Sequence, residues 1–190
     1  MGLVKIRDAS PAEMTEVGDI RIAAYQGGGH ISAESGYAST LRGLGADGNG
    51  EVLVATVPAA ASEHDGSGSG NETAGAERAE RIIGTIMLQP WPHAGEIVTG
   101  PHEAEIRALA VRPEAQGRGV GRTLLRHLMR RARERGIGHL VLCTEPGMRA
   151  AHHLYEREGF TRLPERDWSP APGTTLLVYG QHLSGTAPPG

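Results

Sequence analysis

Leu109-Ala110-Val111-Arg112-Pro113-Glu114-Ala115-Gln116-Gly117-Arg118-Gly119-Val120-Gly121-Arg122-Thr123-Leu124-Leu125 reads as a strand, a tight turn and the start of a helix. Gly117, Gly119 and Gly121 stand at alternate positions, so the main chain can approach a bulky anion closely. Beyond them Val120, Leu124, Leu125, Leu128, Met129 and Ala132 fall on one helical stripe. Such a stripe docks the helix on a sheet and fixes its N-terminus. Free N–H groups and the positive end of the helix dipole favour an anion there, and Arg118 and Arg122 add charged donors. The pattern predicts a phosphate or pyrophosphate; the competing reading is a turn that only packs a helix on a sheet. Two common phosphate binders do not fit. The nucleoside triphosphatase loop ends in Gly-Lys-Ser/Thr, and Lys5 is the only lysine of the chain. The dinucleotide fingerprint needs a glycine at its sixth position, where counting from Gly117 gives Arg122.

The turn sits amid alternating strands and helices. Upstream, residues 3–7 alternate as a short strand, and Ser10-Pro11 with Glu13 forms a capping box ahead of a helix that ends at Gly27-Gly28-Gly29. A second, weaker helix is expected from Ser32 or Ala33 to Leu44, then a strand over 51–57. Residues 58–80 hold no large apolar side chain and include Gly66-Ser67-Gly68-Ser69-Gly70, which predicts a flexible inserted loop. Strands follow at 81–89 and 103–112, the latter with Ile106, Ala108 and Ala110 on one face and Leu109 and Val111 on the other. After the helix that starts at the turn and runs to about Arg135, a strand is expected at 139–144 and a helix at 148–158 with Gly159 as its left-handed cap. Strands at 160–163 and 174–182 complete a mixed sheet with helices. The tail 184–190 is expected to fray.

Composition narrows the function classes. The 190 residues suit one domain, with 38% apolar and 22% charged residues and a formal charge of −3. That balance argues against a nucleic-acid binder or an anionic-membrane binder driven by bulk charge. Cys143 is the single cysteine, so neither an internal disulfide nor a thiolate-rich metal cluster can form. No stretch approaches the ~18 consecutive apolar residues of a membrane span. The first residues lack a secretion-signal pattern, and Ile6 stands where a myristoylation signal needs Ser or Thr. A cytoplasmic protein is expected.

Gln116, Gly119 and Gly121 in the spacing Gln-x-x-Gly-x-Gly, preceded by Leu-Ala-Val-x-Pro, resemble the acetyl-coenzyme A signature of the GNAT superfamily of N-acetyltransferases. The strand at 139–144 followed by Ala150, Ala151, Leu154, Tyr155, Gly159 and Phe160 is similar to that family's next strand and helix. The likeness is detailed over 103–163 and elsewhere is a compatible order of elements. It implies an α/β (α+β) fold: a mixed, largely antiparallel central sheet of about seven strands flanked by helices, all in one domain over 1–183. The fourth and fifth strands would splay apart, with acetyl-CoA in the cleft. The resemblance further implies that Leu109, Ala110 and Val111 pair their backbone with the pantetheine arm. Gln116, Gly117, Arg118, Gly119, Val120, Gly121, Arg122 and Thr123 would hold the pyrophosphate, and a backbone N–H of Ala110 or Val111 would polarise the thioester carbonyl.

Direct transfer from a thioester to an amine needs a neutral amine and a protonated leaving sulfur. A phenol titrates near ~10 and a thiol near ~8.5, so a tyrosine still carries its proton at neutral pH. Tyr155 occupies the position of the family's general acid; otherwise it is a packing tyrosine. Glu105, on the strand leading to Leu109, is the candidate base, against a salt bridge with Arg107. Glu103 is the second choice. Cys143 reads as a buried inert thiol ahead of a covalent nucleophile. Met148 stands near where many relatives carry an asparagine that contacts pantetheine; it can pack on the arm but cannot donate that hydrogen bond.

The remaining polar residues point to less. His152 and His153 are adjacent and lack the spacing of a helical zinc pair, so no metal is expected. Arg126, Arg130, Arg131, Arg133 and Arg135 form a polar helix face from which one side chain could reach the 3′-phosphate of the cofactor. Trp91, Trp168, Tyr25 and Tyr37 fall where the family places its acceptor, and 165–170 reads as a plain loop near the acceptor mouth. The expected function is acetyl transfer from acetyl-CoA to a primary amine of a small molecule or peptide, in a ternary complex. A catalytically inactive acyl-CoA sensor and a nucleotide-binding oxidoreductase remain as alternatives. The sequence does not set the oligomeric state; analogy with the family's C-terminal strands, which often associate, offers a homodimer as one possibility.

Overall fold

Ser10 and Glu13 start the first helical segment. The expected capping box is present, and the Glu13 carboxylate accepts from the Ser10 backbone N–H (2.7 Å) and hydroxyl (2.9 Å). A 3-10 turn at Pro11–Glu13 leads into helix α1 (Met14–Gly27), which follows strand β1 (Lys5–Asp8). The computed structural model describes residues 4–31, 36–59, 80–171 and 173–183. Helix α2 (Tyr37–Gly43) and strands β2 (Glu51–Pro58), β3 (Glu80–Pro90) and β4 (Glu103–Val111) come next. Helix α3 (Val120–Glu134), strand β5 (His139–Thr144) and helix α4 (Arg149–Arg157) follow the glycine turn. Strands β6 (Thr161–Arg162), β7 (Trp168–Ala171) and β8 (Thr174–His182) end the described chain.

The strands form one sheet in the order β1-β2-β3-β4-β5-β8-β6, with β7 paired to β8. Only β4 and β5 run parallel among these pairs. The predicted class of mixed, mainly antiparallel sheet therefore holds, with eight strands among the described residues. The added strand is β7, where a plain loop was expected over 165–170. Pro170 hid it: proline is tolerated in an edge strand, which this is. Most of the expected insertion at 58–80, and the tail at 184–190, lie outside the described residues; the insertion's two ends, Pro58 and Glu80, pair across β2 and β3. The start of the second expected helix also lies outside them.

Alternation along β2 and β3 sorts side chains to two faces. Leu53, Ala55, Ile83, Ile86 and Leu88 join the buried residues of the α3 stripe, together with Tyr155 and Phe160. Val52, Val54, Ile82 and Met87 face the other way, against Val17 and Ile20 of α1. Helices thus cover both faces at β3 and β4, and the first turn of α3 is pressed hard onto the sheet. A Cβ built on Gly84 would lie 3.0 Å from the Ala110 carbonyl oxygen and 3.2 Å from both Val120 and Leu124. That close approach fixes where the helix N-terminus points.

Candidate functional site

β4 and β5 separate partway along their length. They pair as Glu103↔His139, Ala104↔Leu140 and Glu105↔Val141, and pairing stops there. β5 continues to Thr144 bonded to β8, and β4 continues to Val111 bonded to β3, so a V-shaped gap opens between them. A bulge re-aims β4 inside this gap. Thr85 faces Ala110 and Met87 faces Arg107, which leaves Ile86 opposite both Ala108 and Leu109. Ala108 has φ +50°, a conformation that costs a non-glycine residue about 1–2 kcal/mol. The bulge overturns the expected faces of this strand. Ile106 shares its side with Leu109 and Val111, and Ala110 packs against α1.

The glycine turn lies just beyond the open end of β4. Gly117 and Gly119 have φ +72° and +80°, and Gly119 is the N-cap of α3. No backbone N–H over 117–122 has an acceptor among the described residues. Gly117, Arg118 and Gly119 are exposed at the positive end of a helix docked on the sheet, which fits the phosphate reading. The side chains behave less uniformly. Gln116 Nε2 donates to the Val111 carbonyl (3.0 Å), and Thr123 Oγ1 donates to the Gly119 carbonyl (3.1 Å), so both brace the loop. Arg122 and Arg126 are tied to Glu158, a nearly buried carboxylate, at 2.5 and 2.6 Å. Arg118 is exposed and makes no ion pair with a described residue.

Inside the gap, Cys143 is the hub. Its charged and phenolic neighbours within electrostatic reach are Glu105, Arg107, Tyr155, Tyr25 and Tyr37. Tyr155 is buried on α4, its ring 5.9 Å from Phe160 and 6.2 Å from Tyr179. Its hydroxyl has no hydrogen-bond partner among the described residues. Burial drives its pKa well above the ordinary phenol value, so it keeps its proton. Burial likewise pushes the Cys143 thiol up to about 12, with Glu105 adding to the rise. Met148 accepts from Thr144 Oγ1 at its sulfur (3.3 Å), beside the mouth of the gap.

The two candidate bases differ sharply. Glu105 is buried; its Oε2 accepts from the Gly95 N–H (2.9 Å) and its Oε1 lies 3.7 Å from Arg107 Nε. Burial raises its pKa, only partly opposed by Arg107 and Gly95. Glu103 accepts from Thr99 N (2.8 Å), Thr99 Oγ1 (3.0 Å) and Arg166 Nη1 (2.9 Å), and lies 2.7 Å from His139 Nδ1. Its burial would raise the pKa, but these partners outweigh it and hold the carboxyl at about 2. Glu103 is a structural tie at the closed end of the strand pair, as its donors leave no room for proton traffic.

Of two further polar residues of this region, the sequence offered Arg107 only as a salt-bridge partner for Glu105 and did not single out Arg21. Arg107 donates to Gln89 Oε1 (2.9 Å) and stands beside Glu105. Arg21 of α1 is wholly buried and reaches the carbonyls of Leu41 and Leu44. Its signal was available: Arg21 sits four residues after Val17 and next to Ile20, on the inward stripe of the helix. Among the described residues no group of three or more His, Cys, Asp or Glu could hold a metal ion, and no helix is long and apolar enough to cross a membrane.

With the forked strand pair and its glycine turn in view, the chain can be set beside known proteins. The chain is 33% identical over 111 residues to mycothiol acetyltransferase of Cellulomonas flavigena, covering 54% of this chain and 32% of that protein. It covers 26% of the corresponding protein of Rhodococcus jostii, so it spans about a third or less of such curated relatives. An acetyltransferase of the GNAT family from Staphylococcus aureus Mu50 superposes with a TM-score of 0.66 at 14% identity, over 96% of this chain and 100% of that one. PaiA N-acetyltransferase from Thermoplasma acidophilum, solved in complex with coenzyme A, gives 0.63 at 15% identity, over 95% and 99%. The model of the acetyltransferase (GNAT) family matches residues 51–160, from β2 through the glycine turn to the end of α4, and the chain belongs to that family.

Proposed function

We propose that this chain transfers an acetyl group from acetyl-CoA to a primary amine of a small molecule or peptide, by direct attack within a ternary complex. The observation that carries the reading is the coincidence of the gap beyond Glu105 and Val141 with the unpaired N–H groups over 117–122. An extended pantetheine arm fits the unpaired edge of β4 at Leu109, Ala110 and Val111, much as an added strand would. A pyrophosphate fits the turn, where 117–122 would donate backbone N–H groups and Arg118 would add charge. Gln116, Arg122 and Thr123 would act by bracing that turn. The bound acetyl-CoA supplies the activated acetyl group.

The chain's own residues would then manage two protons. Glu105, with its raised proton affinity, is the acceptor of the amine proton. Tyr155 would hold its proton toward the departing sulfur. Burial that raises the phenol also raises the proton affinity of a thiolate beside it, so donation stays feasible. A backbone N–H of Ala110 or Val111, aimed by the Ala108 bulge, would polarise the reacting carbonyl.

The test is thiol release from acetyl-CoA across amines, amino acids and peptides, with calorimetry for coenzyme A binding. Turnover with at least one amine is expected, and Tyr155→Phe should lower kcat by about 10²-fold or more while coenzyme A still binds. Binding without turnover on any amine would reassign the chain as an acyl-CoA-binding module.

A further inference from the structure

The segment between β3 and β4, residues 91–102, is anchored at the closed end of the fork from two points. Ile97 and Val98 are buried with Val141 of β5 and Val178 of β8. The Glu103 carboxylate accepts from the N–H (2.8 Å) and the hydroxyl (3.0 Å) of Thr99. A turn closed by the Val98 N–H on the Gly95 carbonyl (3.2 Å) joins this anchored stretch to Gly95. Gly95 is thereby set against Glu105, and its N–H donates to Oε2 at 2.9 Å. No larger residue fits there. A Cβ on Gly95 would lie 2.8 Å from that same Oε2, closer than carbon and oxygen can stand unless one of them moves. The other oxygen, Oε1, is turned to Arg107, with Nε at 3.7 Å. Arg107 follows Glu105 on the same face of β4 and lies past the last β4–β5 pair, so Oε1 is the oxygen on the side of the gap.

We propose that Gly95 is a positioning residue for proton transfer: its N–H holds one oxygen of Glu105, and its lack of a side chain lets that carboxylate stand with the other oxygen toward the gap. The inference rests on the acetyl-transfer reading, in which Glu105 takes the amine proton. A carboxylate free to turn would present its oxygens in several directions, and a misplacement of about 1 Å costs up to ~10²-fold in rate. The bond of Glu103 to Thr99 gains a task here as well, because it holds the loop from which the base is aimed.

The experiment is Gly95→Ala in the full chain, in the thiol-release assay with the amine that the unaltered protein acetylates best. Gly95 is not at positive φ, so alanine fits its backbone. The atom that the new methyl meets is the tip of a flexible side chain, so the carboxylate yields and the fold does not. kcat is expected to fall about tenfold or more, while coenzyme A binding by calorimetry stays within about twofold. Losing the Gly95 N–H removes a partner that holds the Glu105 pKa down, so the acid limb of kcat/KM should move to higher pH by about half a unit or more. In a Glu105→Gln background the same substitution should change kcat by less than about twofold, because the group it misplaces is gone. Gly100→Ala, in the same loop with open space about its Cβ, should leave activity unaltered. A Gly95→Ala protein as active as the unaltered one would overturn the proposal and leave acetyl transfer standing. So would an equal loss in both backgrounds with the acid limb in place, or a thermal midpoint lowered by more than about 5 °C, since the glycine would then serve the fold. Undiminished turnover in Glu105→Gln would take away the base and this proposal with it. Failure of every amine to release thiol would remove acetyl transfer too.

Discussion

Glu103 and Glu105 sit two residues apart on β4, both nearly buried, and both reach the segment between β3 and β4. Glu103 lies where β4 and β5 are closed, among three donors and the ring of His139. Glu105 is the last paired residue before the fork, with one backbone N–H and a guanidinium beyond hydrogen-bond range. The same side chain is therefore a strong acid at one position and a weak one at the other. Burial pushes both carboxyls up, and only at Glu103 do hydrogen-bond partners outweigh it. A buried carboxylate left short of donors is the one able to take a proton.

The contrast breaks most visibly through Glu105. Glu105→Gln should cut kcat/KM by about 10²–10³-fold, since general-base catalysis contributes on that scale. Stability should move the other way. A raised folded pKa means that the native state binds more protons than the unfolded chain between the ordinary glutamate pKa, ~4.3, and the folded value. Stability tied to Glu105 is thus lost as pH rises through that window, and at neutral pH the buried carboxylate is a cost. The amide should leave neutral-pH stability equal or higher by urea unfolding, and should flatten the acid limb of the kcat/KM profile. A variant that unfolds more readily would make Glu105 a structural tie like its neighbour.

Glu103 should show the mirror image. Its folded pKa of about 2 lies below the unfolded value, so its contribution is full above ~4.3 and disappears as pH falls toward 2. Glu103→Gln should cost about 2–3 kcal/mol at neutral pH, discounted because Arg166 is partly exposed and can turn to water. The penalty should shrink toward zero in unfolding experiments below pH 3. A loss that stays constant with pH would mean that packing, and not charge, holds the closed end together.

Neither half of this contrast could be assigned from sequence, although both residues were candidates. The parts that were legible rest on local pattern. The stripe from Val120 to Ala132 and the glycines at 117 and 119 fixed the docked helix and its turn, because periodicity and positive φ are local properties. The unequal carboxylates depend on Thr99, Arg166 and His139, which only the folded sheet brings together. The bulge at Ala108 was invisible for a related reason: Ile-x-Ala-x-Ala alternates well on paper, and the extra residue shows only against β3. Arg122 was read as a free donor because its partner Glu158 is far along the chain.

The smallest expected effect sharpens the chemistry of the gap itself. Cys143 lies beside Glu105 and Tyr155, a placement that invites a covalent acetyl-cysteine route. With its pKa pushed up to about 12, almost none of it is thiolate at neutral pH, and the thiolate is the nucleophile. Its partly buried side chain packs instead with the cluster of Ile97, Val98, Val141 and Val178. Cys143→Ala should therefore change kcat by less than about threefold, at a stability cost of about 1 kcal/mol for the sulfur-sized void. Intersecting initial-rate lines, as a ternary complex gives, should persist in the variant. Loss of activity together with parallel lines in the unaltered protein would move the acetyl group onto Cys143, and would make Glu105 the base for a thiol instead of an amine.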